Sequence, residues 1–572
     1  MEGSPVLEVG AYRHPANWAL DLEPLSLPDM FERVVAQRPH APLIDFFGRK
    51  FSYGEVADLA RRVATGLAGL GIRPGDRVGL YLPNVPYYVI AYYGALRLGA
   101  VVVNLSPLGS QEEIRQQVDD SGVRLIFTVD TVALLPRAME LLGSGALERL
   151  VVGSVARLLP LGRGLLYRLI HSRERAVLPV SDRIMPFYGL VANDGTMPRI
   201  DVDAERDVAL FQYSGGTTDE PKAAMLTHQA LTANARQIDA ADPYSPSRGQ
   251  GDTDRVLGAL PLFHIFANSC VLNRTVAAGG EMVLLPRFEP GEVIAAIERT
   301  RATKMPGVPT MYQALLDHPA AAKADLSSLR LCISGGSALP PQLKKRFERE
   351  TGALLVEGYG MTEGGMLCAN PVDALNKPGT MGQPLPGTYV ALVDREDPGR
   401  DPPPGEPGEI VVAGPQIMWG YWRRPEGESF VQRDGRRWLR TGDIGTIDAD
   451  GYVRIVDRIK EIISVGEIKV FPSQIEAILC RHPAVSEAMV MGVPAPAPGL
   501  GECPKAFVTL VGDAATTGRE LKVWLNQQLG RHEQVSGVEV RESLPRTMVG
   551  KLSRRALAEE ERLRGISRLG AA

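Results

Sequence analysis

The sequence predicts an α/β fold in which helices cover parallel sheets, followed by a small β region and a compact α+β domain. Near the N-terminus, the apolar runs Arg77–Leu82 and Ala100–Asn104 flank Val85–Leu98, which is long and apolar enough for a packed helix. This strand–helix–strand order is typical of parallel sheets, whose crossover connections need a helix. Near residue 380 the chain changes to short β-like runs with turn-rich joins, and past Asp457 helix and strand alternate again.

The individual elements follow from runs of β-branched residues and from longer apolar stretches. The N-terminal sheets gain predicted strands at Leu125–Val129, Glu281–Leu285 and Leu329–Ser334. The β region has predicted strands at Tyr389–Asp394, Gly408–Val412 and Gly451–Val456, and the proline- and glycine-rich stretch Asp397–Gly408 is an exposed loop. The last part has predicted helices at Pro472–Arg481 and Thr517–Leu529, with strands at Glu487–Gly492, Lys505–Val511 and Val538–Arg541.

The composition argues against several classes of protein. The 572 residues are 44% hydrophobic and 23% charged, which supplies enough apolar side chain for a folded chain. The net charge of −4 lacks the basic excess of a nucleic-acid binder. We expect no membrane-spanning helix and no secretory signal, because neither pattern occurs. Five cysteines without a CxxC pair argue against disulfides and structural zinc, so a cytoplasmic protein is expected.

The strongest chemical signal is the segment Phe211–His228, in which a β-like run enters a loop of serine, glycine and threonine that ends in a lysine. Glycines let backbone N–H groups turn towards an anion, hydroxyls add donors, and Lys222 supplies a positive charge for phosphate. The spacing is not that of the Walker loop. An ordinary polar turn would explain Ser214–Thr217 alone but is a poor explanation of the whole segment. We therefore predict a phosphate-binding loop.

This segment resembles the phosphate loop of the adenylate-forming superfamily, which includes acyl-CoA synthetases, luciferases and the adenylation domains of nonribosomal peptide synthetases. The other motifs of that superfamily follow in the same order, between about residues 25 and 560: Leu260–Phe266, Ser334–Pro340, Glu357–Glu363, Trp438–Asp443, Asp457–Lys460 and Leu544–Lys551. One such motif would be weak, but the ordered set is specific. The chain is most similar to bacterial long- or medium-chain fatty-acid or dicarboxylate CoA ligases.

The resemblance implies a domain plan and a domain motion. Residues 1–456 would form an N-terminal AMP-binding domain, with two α/β subdomains up to about residue 380 and a small β subdomain over 381–456. Residues 457–460 would form a hinge that contains Asp457 and Lys460, and residues 461–572 a small mobile α+β lid. In the superfamily the lid takes one orientation for adenylation and another for thioester formation.

The resemblance also implies the nucleotide site. Catalytic roles would fall to Lys551, Glu363, Lys222 and Thr217, because carboxylate activation needs cations and N–H donors at the phosphates. Thr217 and Glu363 would hold Mg²⁺, a hard cation that takes oxygen ligands. The other nucleotide contacts would come from Ser214, Gly215, Gly216, Thr218, Gly336, Ser337, Glu357, Gly358, Tyr359, Gly360, Thr362, Asp443 and Arg458. For Tyr359, an ordinary core position remains an alternative.

The acyl and CoA sites have weaker signals. By resemblance, the acyl pocket draws on Phe263, His264, Tyr312, Gly335 and Gly364. The resemblance likewise implies that Gly466, Glu467 and Lys469 lie on the side of the site that faces CoA. His264 lies among apolar residues, where a core histidine and a residue that orients the acyl group are equally good interpretations.

Two departures from the superfamily pattern bear on activity. Asp219 stands where the phosphate loop normally has glycine, and Ala223 replaces a second glycine after the lysine. A carboxylate at position 219 would repel ATP unless it points away or pairs with a cation. Glu467 stands in a region that is usually Gly-Gly-aromatic and lies against CoA in the superfamily. It therefore bears on thioester formation more than on adenylation.

These observations predict an enzyme that activates a fatty acid or dicarboxylate with ATP as an acyl-adenylate and transfers the acyl group to CoA. ATP, Mg²⁺ and CoA are the expected co-substrates. The alternatives are transfer to a carrier protein, which Glu467 favours, and a nucleotide-binding relative impaired by Asp219. The presence of Lys222, Glu363 and Lys551 argues against the second alternative.

The expected partners include no nucleic acid, and a homodimer is a further hypothesis. The basic and apolar segment Arg157–Arg175 favours peripheral contact with the inner face of a membrane, where a lipid substrate would be found. A helix packed on the protein's own core explains the same segment somewhat better.

Overall fold

The computed structural model describes residues 12–170, 174–197, 200–214, 222–248, 253–372, 376–427, 429–465, 468–494, 502–512, 514–547 and 552–569. They form two compact units. The first contains the described residues up to Tyr389, together with Val412–Phe430 and Asp450–Tyr452; the second contains the remainder. Most of residues 381–456 therefore belong to the same unit as the C-terminal residues. The domain limits that the resemblance implies, at residues 456 and 461, stay a prediction.

The first unit contains a largely parallel sheet. Over the described residues this sheet has eight strands, in the spatial order Gly420–Tyr421, Lys222–Thr227, Val208–Ser214, Val101–Asn104, Arg77–Leu80, Leu125–Val129, Arg149–Gly153 and Ile184–Pro186. Neighbours are antiparallel among the first three strands and parallel from the third onward. The predicted parallel strand–helix–strand unit near the N-terminus is confirmed.

A second sheet of the first unit has nine strands in the described part of the chain. Their spatial order is Gln383–Pro384, Gly365–Ala369, Leu354–Met361, Leu331–Ser334, Lys304–Gly307, Arg255–Gly258, Glu281–Leu284, Pro42–Phe46 and Arg49–Ser52. Its central pairs are parallel and its edge pairs are antiparallel. The carboxyl ends of its parallel strands carry the predicted adenine motifs.

Helices pack on both sheets. The α-helices of the first unit are Leu27–Gln37, Tyr53–Gly69, Pro86–Arg97, Gln111–Ser121, Leu135–Glu140, Leu161–Ile170, Phe187–Leu190, His228–Ala240, Ile265–Ala267, Arg274–Ala277, Pro290–Thr300, Pro309–Asp317 and Pro341–Thr351. Single 3₁₀ turns cover Val155–Arg157, Pro246–Arg248 and Ala321–Lys323, and Asn268–Asn273 is a π-helix. No helix of the described residues is long and apolar enough to cross a bilayer.

The second unit begins with antiparallel β structure. Strands Tyr389–Val393, Gly408–Ala413, Arg436–Ile447 and Phe430–Arg433 lie side by side, and Val453–Arg458 also pairs with Arg436–Ile447. The C-terminal part has strands Ile463–Val465, Ile468–Val470, Val485–Pro494, Glu502–Leu510 and Val538–Val540, a 3₁₀ turn at Ile459–Glu461, and helices Pro472–Leu479, Gly518–Asn526 and Arg554–Leu569. Leu479, Val490, Val508 and Leu521 belong to one buried apolar core of this part. The predicted α+β character is confirmed.

Candidate active site

The predicted phosphate loop connects two antiparallel neighbours. Ser214, the last residue of its strand, is the register partner of Lys222, the first residue of the next strand. Lys222 therefore lies where the chain leaves the loop, half-buried at the edge of the sheet. The loop residues Gly215, Gly216, Thr217, Thr218 and Asp219 lie outside the described residues, so their roles stay predictions.

The strand that leads into this loop is tied to the segment Leu260–Phe266. The buried Gln212 donates from Nε2 to the Phe263 carbonyl oxygen at 2.9 Å. Its Oε1 accepts from Asn104 Nδ2, also at 2.9 Å. These bonds satisfy a buried amide and fix the histidine-containing segment beside the phosphate-loop strand.

The two predicted adenine motifs lie on neighbouring parallel strands. Ser334 is the register partner of Glu357, which is buried. Glu357 Oε1 accepts from the backbone N–H of Leu339 at 2.9 Å and thereby holds the loop after the first motif. Burial raises the pKa of Glu357 to about 7. Gly336 in that loop has φ of +88°, which glycine adopts without strain.

The second motif ends in a turn that only glycines fit. A Cβ atom at Gly360 would lie 2.2 Å from the carbonyl oxygen of Gly365. Tyr359 precedes this turn and is buried, while Thr362 is half-buried within it. The burial of Tyr359 fits the core interpretation as well as the adenine-facing one, so its role stays a prediction.

Glu363, the last residue of the motif, is only 6% exposed and is held from two sides. Its Oε1 accepts from the Tyr421 hydroxyl at 2.6 Å, and its carbonyl oxygen accepts from the Met418 N–H at 2.7 Å. Lys222 Nζ lies 5.8 Å from the centroid of the same Tyr421 ring. Burial, and to a smaller extent the neighbouring Glu363 carboxylate, raises the pKa of the Tyr421 hydroxyl, so Tyr421 keeps its proton. Tyr421 was not among the predicted site residues.

The predicted acyl residues fall in two places. His264 Nδ1 accepts from the Phe266 N–H at 3.2 Å and caps the short helix that follows. A Cβ at Gly335 would lie 3.0 Å from the Phe266 ring, so the Leu260–Phe266 segment and the first adenine motif meet here. Phe263 is buried beside them.

Tyr312 and Gly364 have different surroundings. The Tyr312 hydroxyl donates to the carbonyl oxygens of Met305 at 2.7 Å and Ile333 at 3.0 Å, so it links two neighbouring strands. A Cβ at Gly364 would lie 3.0 Å from the side chains of Ile417 and Leu367. Both residues are packed among other side chains, and their acyl roles stay predictions.

An apolar cavity lies next to the Phe266 contact. Phe266 and Ile333 pack against a buried cluster that contains Ile238, Cys270 and Met366. Ile333 and the three cluster residues also line a cavity of about 550 Å³, counted with the solvent at its mouth.

One part of the cavity wall is ionic. The buried Arg274 guanidinium lies 3.1, 2.7 and 2.6 Å from carboxylate oxygens of Asp239, Asp242 and Asp254. Lys304 Nζ lies 2.8 Å from Asp254 and also contacts Asp242. Burial lowers the Lys304 pKa. Of these five residues, Asp242, Arg274 and Lys304 line the cavity, and both cations there contact the Asp242 carboxylate.

In the second unit, the predicted ribose residue is already paired. Asp443 and Arg458 face each other on antiparallel strands, and Arg458 Nε lies 2.8 Å from Asp443 Oδ1. Asp443 is buried, whereas the Arg458 side chain is 54% exposed. Two residues predicted to contact one nucleotide are thus brought together.

The predicted hinge residue Asp457 joins a strand to a helix. Its Oδ1 accepts from the Arg458 N–H at 2.8 Å, and its Oδ2 accepts from the backbone N–H of Ser473 at 3.0 Å. Lys460 and Lys469 are exposed, and Lys469 Nζ donates to Ser464 Oγ at 2.9 Å. Gly466 and Glu467 lie outside the described residues.

Lys551 also lies outside the described residues, but both flanks of its segment are anchored. Arg546 and Leu552 form an isolated antiparallel bridge, and Leu544 and Leu557 are buried in one core cluster. Arg554 Nη2 donates to Glu476 at 2.6 Å. The catalytic role of Lys551 stays a prediction.

The available oxygen ligands fit Mg²⁺. The described parts of the chain contain no cluster of three or more His, Cys, Asp or Glu side chains suited to a metal. Mg²⁺ is commonly held through one or two carboxylates together with substrate phosphates, so the single oriented carboxylate of Glu363 is an adequate protein ligand. When bound, the ion would neutralise phosphate charge.

The comparison with family models decides the family. The AMP-binding enzyme model matches residues 31–422, and the model of the AMP-binding enzyme C-terminal domain matches residues 474–551. The chain belongs to the AMP-binding enzyme family. It is therefore an acid–thiol ligase that forms an acyl-adenylate and uses ATP, Mg²⁺ and CoA as co-substrates.

Individual relatives agree with this assignment. The chain is 38% identical to a long-chain-fatty-acid–CoA ligase of Bacillus subtilis over 95% of this chain and 96% of that one. It is 35% identical to a feruloyl-CoA synthase of an Amycolatopsis species over 90% and 94% of the two chains. The ATP-bound crystal structure of MatB from Rhodopseudomonas palustris matches with a TM-score of 0.79 and 28% identity, over 94% of this chain and 99% of that one.

Proposed function

We propose that this member of the AMP-binding enzyme family activates long-chain monocarboxylic fatty acids and transfers them to CoA. The observation that carries the proposal is the apolar cavity next to the contact between Phe266 and Gly335, where the segment Leu260–Phe266 meets the first adenine motif. The names of the curated long-chain relatives support the same substrate class.

The ionic wall supports a monocarboxylate over a dicarboxylate. The two cations of the lining, Arg274 and Lys304, already contact the Asp242 carboxylate, so a second carboxylate carried into the cavity would be buried without a cation of its own. A methyl end can contact the apolar lining without losing any hydration of charge. Among the substrate classes considered from the sequence, a fatty acid therefore fits this cavity better.

The proposed roles follow from where negative charge develops. Lys222 would contact the phosphates, Glu363 and Thr217 would hold Mg²⁺, and Lys551 would stabilise charge on the carboxylate and α-phosphate during adenylation. Asp443 and Arg458 would contact the ribose. In-line attack of the carboxylate on the α-phosphorus releases pyrophosphate, and the CoA thiol then displaces AMP from the acyl-adenylate.

A carboxylate panel tests the substrate proposal. Pyrophosphate release is measured for hexanoate, palmitate, the dicarboxylate adipate and ferulate, with and without CoA, and acyl-CoA is identified by mass spectrometry. We expect palmitate to give the highest kcat/KM and palmitoyl-CoA to form. A preference for adipate or ferulate, or adenylation without acyl-CoA, would contradict the proposal.

A cavity-filling substitution tests where the acyl chain lies. Ala241→Trp inserts a large ring into the lining, so we expect the kcat/KM ratio of palmitate to hexanoate to fall by about tenfold or more. Ala320→Trp, at an exposed alanine, is the matched control and should leave the ratio unchanged. If Ala241→Trp leaves this kcat/KM ratio unchanged, the acyl chain of the substrate lies outside this cavity.

Membrane contact is part of the same proposal. The segment predicted from the sequence contains the helix Leu161–Ile170. Exposed Arg157 and Arg163 lie on this segment, and Val177 is 90% exposed just beyond it. Cations beside exposed apolar side chains suit an anionic bilayer surface.

Vesicle co-sedimentation tests the membrane contact. We expect the full chain to bind vesicles that contain phosphatidylglycerol in a salt-sensitive manner, and Val177→Glu to lose about half or more of that binding because it places a charge at the interface. Val523→Glu, at an exposed valine of the second unit, is the control. Equal binding of both variants would refute the assigned surface. The homodimer stays a prediction that sedimentation equilibrium tests.

A further inference from the structure

The segment Met418–Trp422 is bound to the strand that follows the phosphate loop. Gly420 and Tyr421 pair with Met225 and Ala224 as an added antiparallel strand. The backbone N–H of Trp422 donates to the carbonyl oxygen of Ala223 at 2.9 Å, and Ala223 directly follows Lys222. This segment therefore has a fixed register with respect to the exit of the loop.

The same segment is bound to Glu363 through both backbone and side chain. The Met418 N–H donates to the Glu363 carbonyl oxygen at 2.7 Å, while the Tyr421 hydroxyl donates to Oε1 at 2.6 Å. Two bonds from residues three apart along one segment fix both the position of the Glu363 backbone and the rotation of its carboxylate.

Tyr421 also faces Lys222. The ammonium nitrogen lies 5.8 Å from the ring centroid, within the range of a cation–π interaction. One side chain thus contacts both the cation predicted to bind phosphate and the carboxylate predicted to bind Mg²⁺. Lys222 begins a strand of the eight-stranded sheet, whereas Glu363 follows a strand of the nine-stranded sheet, so Tyr421 connects groups that come from two sheets.

We propose that Tyr421 is a positioning residue of the ATP·Mg²⁺ site, which orients the Glu363 carboxylate for the metal and sets the place of Lys222 at the phosphates. This inference rests on the proposed roles of Lys222 and Glu363, and it does not depend on which fatty acid is used. The groups that orient a metal-binding carboxylate matter because their removal typically weakens metal affinity by about 10- to 100-fold.

Two substitutions separate the two contacts. Tyr421→Phe removes only the hydroxyl, whereas Tyr421→Leu removes the hydroxyl and the aromatic face. Calorimetric titration of ATP into the full chain, once with excess Mg²⁺ and once with EDTA, measures both effects directly without turnover. Tyr452→Phe is the control, because Tyr452 is a buried tyrosine of the same unit whose ring faces a different lysine.

For Tyr421→Phe we expect ATP affinity to fall about tenfold or more with Mg²⁺ and to stay unchanged in EDTA. For Tyr421→Leu we expect a further loss of roughly two- to fivefold that is present in EDTA as well, because the cation–π contact to Lys222 is gone. In pyrophosphate release, Tyr421→Phe should raise the Mg²⁺ concentration needed for half-maximal rate.

A double-mutant cycle tests whether Tyr421 acts through Glu363. In the Glu363→Gln background, Tyr421→Phe should cause no further Mg²⁺-dependent loss of ATP affinity, because the carboxylate on which it acts is absent. Additive losses would overturn the proposal. So would an equal loss with Mg²⁺ and EDTA in Tyr421→Phe, which is the result of a merely structural role.

The outcomes distinguish this inference from the substrate proposal. A wild-type chain that binds ATP·Mg²⁺ but does not activate palmitate refutes the substrate proposal alone. A wild-type chain whose ATP affinity does not respond to Mg²⁺ refutes the positioning role. Circular dichroism melting of each variant accompanies the titrations, and Tyr421→Phe is expected to unfold cooperatively like the wild type.

Discussion

Lys551→Ala is expected to reduce acyl-adenylate formation by at least about 100-fold, because a positioned cation at the α-phosphate stabilises charge that develops in the transition state. Pyrophosphate release with palmitate and ATP measures this loss. When the variant receives pre-made palmitoyl-adenylate and CoA, it should retain more activity, since the superfamily lid carries the lysine away for thioester formation.

The control for this prediction is Lys345→Ala, which removes an exposed lysine of the first unit and should leave both half-reactions unchanged. Near-normal adenylation by Lys551→Ala would refute the assignment of Lys551. Equal losses in both half-reactions would also contradict it, because the lysine would then not be specific to the first step.

Arg274→Leu is expected to destabilise the first unit by about 3–5 kcal/mol, because it leaves buried carboxylates without their main partner. Asp239, Asp242 and Asp254 would then share Lys304 as the remaining cation of the cluster. Urea unfolding of the full chain, followed by tryptophan fluorescence, measures the change in the free energy of unfolding.

The pH dependence of that loss identifies its cause. Buried carboxylates without a partner have raised pKa values, so they favour the folded state when protonated, and their destabilising effect grows as the pH rises through those values. Arg274→Leu should therefore lower the free energy of unfolding by less at about pH 5 than at about pH 8. Arg349→Leu, which breaks a pair whose guanidinium is 72% exposed, should change stability by less than about 1 kcal/mol. A similarly small effect of Arg274→Leu would show that the cluster does not need this residue.

Much of the fold could be predicted from the sequence because buried parallel strands are continuous apolar runs. The predicted strand Leu125–Val129 is observed with the same limits, and the predicted helix Val85–Leu98 is observed as Pro86–Arg97. The lengths of the last strands were predicted less well. The predicted strand Glu487–Gly492 is observed as Val485–Pro494, because pairing with the neighbouring strand extends it at both ends. Local patterns do not show how far a partner strand extends a ladder.

The amphipathic segment Arg157–Arg175 shows a second limit. The sequence favours one helix, whereas the described part has a 3₁₀ turn over Val155–Arg157 and a helix over Leu161–Ile170. Pro160 separates the two, because proline restricts the preceding residue and favours the first turn of a helix.

The candidate site could be predicted only where its residues form contiguous motifs. Glu357–Glu363 was found from its residues, but Tyr421 lies 58 positions beyond Glu363 and has no local signal of its role. The ionic wall was missed for the same reason, since Arg274, Asp254 and the neighbouring Asp239 and Asp242 come from three separate parts of the chain. Only the pairing of distant strands and the packing of helices bring such groups together.

The pair formed by Asp443 and Arg458 has a consequence for nucleotide affinity. A free arginine side chain loses rotamer freedom when a ligand immobilises it, at a cost of about 0.5–1.5 kcal/mol. Because Arg458 already lies 2.8 Å from Asp443, much of that ordering accompanies folding of the second unit rather than arrival of ATP. If both residues contact the ribose as proposed, this preorganisation lowers the dissociation constant by roughly two- to thirteenfold relative to a disordered arginine. The pair of the half-exposed Arg458 and the buried Asp443 would thus favour nucleotide binding by ordering the arginine before the ligand arrives.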